Sequence, residues 1–371
     1  MATIALPLRA RQVAISGTTI PLALGLLGVA LTWFGAAWDV SWHRLVGRDT
    51  FWSAPHLFLY GGISLWGLAA LVATITAMRG RPVRGRELRV GPFRAELGLA
   101  LVGVAAAIVI ASAPFDDAWH RAFGRDIDIW SPPHLAGVAG SALAFVGWSV
   151  AFAPGVFTIP EVLRRFLRAL MLANICAVFV FGMNFYYIMS VTREGFFYPL
   201  AVAITIPAAL AFGAALLGGR FGATVTAVTY TGAAFVTYAI LAGGGWLAPA
   251  FPPLFVVGAA VIDLLRSRGG RLAHPLVLGA AFMVAFVSAE FVRMALFPAT
   301  PPSGTGSGVD PRGTALYYQY YAQAVARPWL SLWPVAAAIL GAPLAAASWL
   351  AGCRVARVLA DDLHSEAVAH S

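Results

Sequence analysis

The sequence predicts an all-α fold, a polytopic transmembrane helical bundle of about ten spans. Three observations predict it. The chain has 371 residues, 60% of them hydrophobic and only 11% charged, where a soluble domain carries about 25% charged residues. Its apolar residues come in long blocks such as 20–33, 97–110 and 200–217, and with their flanks these reach the ~20 residues that cross a bilayer. Its charges collect in short clusters between those blocks.

Taken in order, the expected spans are 17–38, 55–78, 95–115, 133–153, 166–190, 197–218, 222–243, 250–265, 274–297 and 329–352. Arg9 and Arg11 precede the first. That block exceeds a signal-peptide core and lacks a clear small-residue cleavage site, so it reads as a retained span. Arg79, Arg81, Arg84, Arg86, Arg89 and Arg94 separate spans 2 and 3. Arg164, Arg165 and Arg168 follow span 4, Arg220 follows span 6, Arg266, Arg268 and Arg271 follow span 8, and Arg354 and Arg357 follow span 10. With an even number of spans every one of these clusters falls on the side of the N-terminus. The positive-inside rule then places both termini in the cytoplasm of a cell whose inner membrane holds the chain. Two regions follow: residues 1–153, containing the duplicated element described below, and residues 154–371, with six spans and an outer loop at 298–327. That loop is rich in Pro, Gly and Ser, and ends in Tyr317, Tyr318, Tyr320 and Tyr321, which suit an interfacial belt.

The net charge of +9 does not point to nucleic acid. All the basic residues counted in it are arginines, they sit at span ends, and no basic helix or aromatic strand pattern accompanies them. The partner the composition implies is the lipid bilayer. The two cysteines, Cys176 and Cys353, both lie within apolar segments, which argues against a disulfide framework and a thiolate metal site.

The informative feature is an internal repeat. Residues 39–56, DVSWHRLVGRDTFWSAPH, recur as residues 116–134, DDAWHRAFGRDIDIWSPPH, and with a one-residue gap eleven of the eighteen positions in the first copy are identical. Each copy leaves one span and opens the next. The unit is therefore span, polar loop, span, repeated in parallel with both loops on one side. Asp39 and His43 are four apart, as are Asp116 and His120, so a helix continuing through them puts each pair on one face. Ser53 and Ser131 precede Ala54-Pro55 and Pro132-Pro133, the pattern of an N-cap followed by proline in the first turn. His56 and His134 then sit in the first turn of the returning helix, and Gly47 and Gly124 permit the reversal.

Two imidazoles and a carboxylate form a ligand set used by transition metals: zinc and non-haem iron with positions left open, and copper, which accepts imidazole readily. The candidate ligands are Asp39, His43 and His56 in the first copy and Asp116, His120 and His134 in the second. The Arg48-Asp49 and Arg125-Asp126 pairs suit outer braces that orient the ligands. The same residues also suit a metal-free, salt-bridged interface loop, with Trp42, Trp52, Trp119 and Trp130 as interface anchors.

At these residues the sequence resembles the C subunit of the copper membrane monooxygenases, the particulate methane and ammonia monooxygenase family. Asp39, Trp42, His43, Arg48, Asp49, Thr50 and His56 match the family pattern and its spacing. The resemblance implies copper at Asp39, His43 and His56. The second copy is similar to the family's neighbouring ligand set, with His120 and His134 at the same spacing and Asp116 where the family has Asn. The family subunit has fewer spans and works with two other membrane subunits. Spans 5 to 10 here have no counterpart in it, so the resemblance covers about forty residues over both copies. It implies a monooxygenase-like oxidoreductase acting on a small apolar substrate.

Transport is the competing class, with the same ligands serving a metal or proton path; a non-catalytic assembly subunit is the third. Transport calls for ionisable groups deeper in the spans, where the sequence is mostly apolar or hydroxylic, with Thr224, Thr226, Thr229 and Thr237. Glu290 with Arg293 in span 9 reads as an ion pair. Asp263 reads as a partner of Arg266 or Arg268. Met183 and Asn184 read as helix-packing residues, and His274, His364 and His370 as unrelated to the site.

Overall fold

A computed structural model gives the architecture and describes residues 18–46, 50–123, 131–186, 197–244, 254–296 and 333–360. Ten α-helices run through the described residues: α1 (Thr19–Leu45), α2 (Ala54–Met78), α3 (Leu97–Phe123), α4 (Pro132–Ala151), α5 (Glu161–Tyr186), α6 (Phe197–Leu216), α7 (Gly222–Gly243), α8 (Phe255–Arg268), α9 (Pro275–Leu296) and α10 (Trp333–Ala360). Each expected span thus coincides with a helix. Six of these, α1 to α4, α6 and α10, contain stretches long and apolar enough to cross a membrane. At 1.5 Å per residue the 14-residue α8 is only about 21 Å long, short of the ~30 Å hydrocarbon core. The tyrosines of the 298–327 loop, and the tail histidines His364 and His370, lie outside the described residues.

Consecutive helices pack as neighbours: α1 on α2, α2 on α3, α3 on α4, and α4 on α5. In the C-terminal region α10 packs against both α6 and α9, while α7 meets α5, α6 and α8. Between apolar helices in lipid there is little hydrophobic drive to associate, so close approach of backbones through small residues carries the packing. Gly98 of α3 and Gly147 of α4 show this. A Cβ on Gly98 would lie 2.5 Å from the Gly147 carbonyl oxygen, and one on Gly147 would lie 2.7 Å from the Gly98 carbonyl oxygen. Gly28 of α1 meets Gly62 and Trp66 of α2 in the same way, at 2.7 Å and 2.6 Å. The buried aromatic core beside these contacts includes Trp66, Phe145, Trp148 and Phe152.

One element was not expected. The arginine-rich connection between α2 and α3 contains an antiparallel hairpin, β1 (Glu87–Val90) and β2 (Phe93–Glu96), in the register Glu87–Glu96 to Val90–Phe93. Gly91 at its tip has φ +56°, and Pro92 follows with its φ held negative by the ring. These are the φ signs of a type II′ turn, whose twist suits a two-residue hairpin. The third span accordingly starts at Leu97 rather than 95. Glu96 joins the two elements: its buried carboxylate accepts hydrogen bonds from the backbone N–H groups of Gly98 (2.9 Å) and Leu99 (2.8 Å) in the first turn of α3.

The same end of the bundle is stitched by arginines. The Arg168 side chain, almost wholly buried, donates to the Ser149 carbonyl of α4 (2.8 Å) and the Leu216 carbonyl of α6 (2.6 Å). Arg164 donates to the Phe152 carbonyl (2.8 Å) and pairs with Glu161. A cation on the carbonyl-rich C-terminal end of a helix satisfies orphan acceptors and complements the helix dipole. Arg168 thereby ties the ends of α4 and α6 together across the boundary between residues 1–153 and 154–371.

Candidate metal centre

Among the described residues, the helix ends that flank the two loops are built alike. α1 continues past the expected end of its span through Asp39 to Leu45, and α3 continues through Asp116 and His120 to Phe123. The condition for Asp and His to share a face, an unbroken helix, is therefore met. α2 and α4 begin just after Ser53 and Ser131, whose backbones are nearly the same (φ −58°, ψ 148° and φ −63°, ψ 145°). Proline occupies the first helical turn in both. The serine hydroxyls do not cap, contrary to expectation. A capping hydroxyl reaches the N–H of the second or third helical residue. Pro55 and Pro133 are those second residues and have no N–H. What serine supplies is its backbone: its carbonyl accepts the first helical bond, from Leu57 (3.1 Å) and from Leu135 (3.0 Å).

In the second copy three side chains converge. Asp116 offers one oxygen to each imidazole: Oδ2 lies 3.3 Å from His120 Nε2 and Oδ1 lies 3.2 Å from His134 Nε2. One ligand atom from each of the three residues lies within 4.8 Å of the other two. The imidazole rings are 5.9 Å apart between centroids. All three side chains are half-buried. Beside them Arg121 forms an ion pair with Asp117 one turn along the same helix, a pair absent from the first copy, where Val40 replaces Asp117.

In the first copy Asp39 Oδ1 lies 3.2 Å from His56 Nε2. The other ring nitrogen of His56, Nδ1, is 2.9 Å from the Thr50 carbonyl oxygen. A carbonyl only accepts, so Nδ1 carries the proton and donates, which turns Nε2 towards the Asp39 carboxylate. A backbone carbonyl fixing the tautomer of an imidazole in this way is a regular outer partner of a metal-bound histidine. No residue-type signal marks this contact beyond the position of Thr50. The side chain of His43 lies outside the described residues. So do Arg48, Asp49, Arg125 and Asp126, the expected outer braces.

The surroundings of the copies differ. Tyr60, one turn after His56, lies against its ring at 5.4 Å. Phe34, Trp38 and Phe58 pack together where α1 approaches α2, with centroids 5.2 to 5.7 Å apart and Trp38 edge-on to both phenylalanines. In the second copy the positions matching Phe34, Phe58 and Tyr60 are Ala111, Ala136 and Val138.

The donor set passes a geometric test. Two ligands each ~2.1 Å from one ion are about 3.0 Å apart at an octahedral angle and about 3.4 Å at a tetrahedral one. The Asp116–His120 and Asp116–His134 spacings of 3.3 Å and 3.2 Å fall between.

The other acidic candidates serve the scaffold. Asp263, fully buried, accepts hydrogen bonds from the Thr224 N–H and hydroxyl, both at 2.8 Å, and pairs with Arg266 at 3.2 Å. It caps the start of α7 as well as forming the expected ion pair. Glu290, also buried, accepts a hydrogen bond from the Leu254 N–H (2.9 Å) at the start of α8. The side chain of Arg293, its expected partner, lies outside the described residues, as do those of Met183 and Asn184. His274 bonds locally to the Leu276 N–H. Cys176 and Cys353 are free thiols. Compared with family models, curated proteins and solved structures, the chain has no match in any of the three.

Proposed function

We propose that this chain is a multi-pass membrane metalloprotein that binds a transition metal, copper by preference, at its Asp-His-His sites. The observation that carries the reading is the convergence of Asp116, His120 and His134. The repeat supports a matching site at Asp39, His43 and His56. Within that reading the copies form a parallel repeat of two helical hairpins, with both sites on the outer face and both termini in the cytoplasm. Zinc and iron suit the same donors; the resemblance to the C subunit of the copper membrane monooxygenases favours copper. Bound copper would supply oxygen activation, and the bilayer would concentrate a small apolar substrate, in company with other membrane subunits as in that family. The chain's own part is to hold three donors at one point, with the metal-facing nitrogen of His56 fixed by the Thr50 carbonyl.

The test is metal content. Wild-type protein, purified in nanodiscs and exposed to copper, zinc or ferrous iron, is compared by elemental analysis with the His43→Ala, His120→Ala double variant. The reading expects copper to be retained by the wild type and lost from the variant. If the wild type retains no transition metal, the carboxylate–imidazole contacts are a clasp that closes each loop, and the metal reading fails.

A further inference from the structure

The hairpin at the opposite end of the bundle is amphipathic. Directly opposed residues of an antiparallel pair share a face, and faces alternate along each strand. The register therefore puts Leu88, Ala95, Val90 and Phe93 on one face and Glu87, Glu96, Arg89 and Arg94 on the other. At the base of the apolar face Ala95 is buried. Towards the tip burial ends, with Val90 61% and Phe93 58% exposed. Two large apolar side chains held out side by side on a two-stranded ribbon are left largely uncovered by the described residues.

The charges around them are one-sided. Six arginines lie between α2 and α3: Arg79, Arg81, Arg84, Arg86, Arg89 and Arg94. Glu87 pairs with Arg94 (2.6 Å) and Arg89 (3.6 Å), and Arg94 holds the Glu87 carboxyl below its ordinary range. Glu96 is committed to α3. Arg84 reaches the Thr158 hydroxyl, a neutral acceptor, and Arg86 donates to the Val358 carbonyl among its contacts. Arg79 and Arg81 are exposed and form no ion pair among the described residues. Within the connection itself two glutamates stand against six arginines.

The position of the hairpin decides what covers it. β2 ends at Glu96 and the apolar α3 begins at Leu97. No linker separates them, and four strand residues reach only about 13 Å. The tip therefore stays within about 13 Å of the start of α3, and meets the headgroup layer of a membrane that α3 crosses when the hairpin lies along its surface. An apolar edge among arginines at that depth matches acyl chains below and lipid phosphates beside it. We propose that the β1–β2 hairpin is an interfacial anchor for anionic phospholipid, with Val90 and Phe93 entering the headgroup–acyl boundary and Arg79 and Arg81 pairing with lipid phosphates.

The experiment places a nitroxide at the tip through Val90→Cys, and separately through Phe93→Cys, in a Cys353→Ser background; Cys176 is buried. The full chain goes into nanodiscs of phosphatidylcholine alone or with phosphatidylglycerol. In discs with phosphatidylglycerol, oxygen should relax either label more strongly than an aqueous nickel chelate does. Arg79→Gln with Arg81→Gln should shift the labels back to an aqueous profile. Three outcomes would overturn the assignment. An aqueous profile in both lipids shows a tip in water. Equal insertion in both lipids removes the anionic selectivity. A label shielded from both relaxants shows that a protein surface, not lipid, covers the tip.

Discussion

Asp116 carries an imidazole on each of its oxygens, and that arrangement decides how ligand loss should behave. A three-donor site missing one imidazole binds poorly, so removing a second donor has little left to remove. His134→Ala should therefore lower metal retained at the second copy as much as Asp116→Ala with His134→Ala, read by elemental analysis in a chain whose first copy is disabled. Additive losses would mean that the three do not share an ion. Much of this site was legible in the sequence. A four-residue spacing on a continuing helix places Asp116 and His120 together, and proline after serine starts the returning helix at His134. What the sequence does not carry is atomic choice. Serine looked like a cap, but Pro55 and Pro133 remove a donor it needed. The Thr50 carbonyl, a backbone group without a residue-type signal, sets the tautomer of His56. Glu96 was equally hidden, since nothing in Arg-Ala-Glu-Leu marks a carboxylate folded onto the helix after it. Burial raises its pKa from 4.5 to about 7, against the lowering effect of the Gly98 and Leu99 N–H groups. The folded protein then binds a proton more tightly than the unfolded chain. Stability from this group is full below about pH 4.5 and declines as pH rises to about 7, by on the order of 3 kcal/mol. Thermal unfolding should show that decline between pH 5 and 8, and Glu96→Gln should flatten it. An unchanged slope in the variant would remove Glu96 as its source.

Each helix was visible in the sequence because a membrane span is a long apolar block, and long blocks outlast errors of a few residues at their ends. Elements that do not depend on length were harder. The β hairpin is four residues a strand, and its alternation of Leu88, Arg89 and Val90 is lost in a cluster that reads first as charge. The turn is signalled only by Gly91-Pro92. Helix pairing was hidden too, because it depends on which glycines face a neighbour. Gly98 and Gly147 bring the backbones of α3 and α4 into contact, whereas Gly61 of α2 would meet nothing within 4 Å if it bore a Cβ. Gly98→Val should overpack the α3–α4 contact, at a cost of about 1–3 kcal/mol, and spread the hairpin that positions Asp116 and His120 against His134. A lower unfolding temperature together with reduced metal retention at the second copy is the expected result. Gly61→Ala should change neither. If Gly98→Val matches Gly61→Ala in both measurements, the glycine contact does not hold the site together.

At the scale of the molecule, the two ends of the bundle differ in chemistry. The Asp-His loops join α1 to α2 and α3 to α4. Arginine clusters lie at the intervening reversals: α2 to α3, α4 to α5, α6 to α7 and α8 to α9, and again at the end of α10. Several of these arginines are structural, as with Arg168 on the ends of α4 and α6, but the bias is present whether or not a given guanidinium is buried. Helices α1 to α4, α6 and α10 have the length and apolarity to span. If α5, α7, α8 and α9 complete the count, each of these clusters shares the side of both termini, while Arg44, Arg48, Arg121 and Arg125 lie in the Asp-His loops on the other side. The positive-inside rule then predicts the side of the termini to be the cytoplasm. Single cysteines in the Cys353→Ser background test this in sealed cells. Trp52→Cys lies at the metal-site end, where Trp52 is 72% exposed. Arg89→Cys, on the polar face of the hairpin, and Arg271→Cys lie at the arginine end. A membrane-impermeant maleimide added outside should label position 52 and leave 89 and 271 unmodified until the membrane is opened. Labelling of both 89 and 271 but not 52 in intact cells would invert the orientation, and would move the Asp-His-His sites to the reducing side of the membrane. Labelling of 89 but not 271, or the reverse, would mean that an odd number of segments cross between them. The ten-span count would then fail at α5 to α8, where the short α8 is the first helix to doubt.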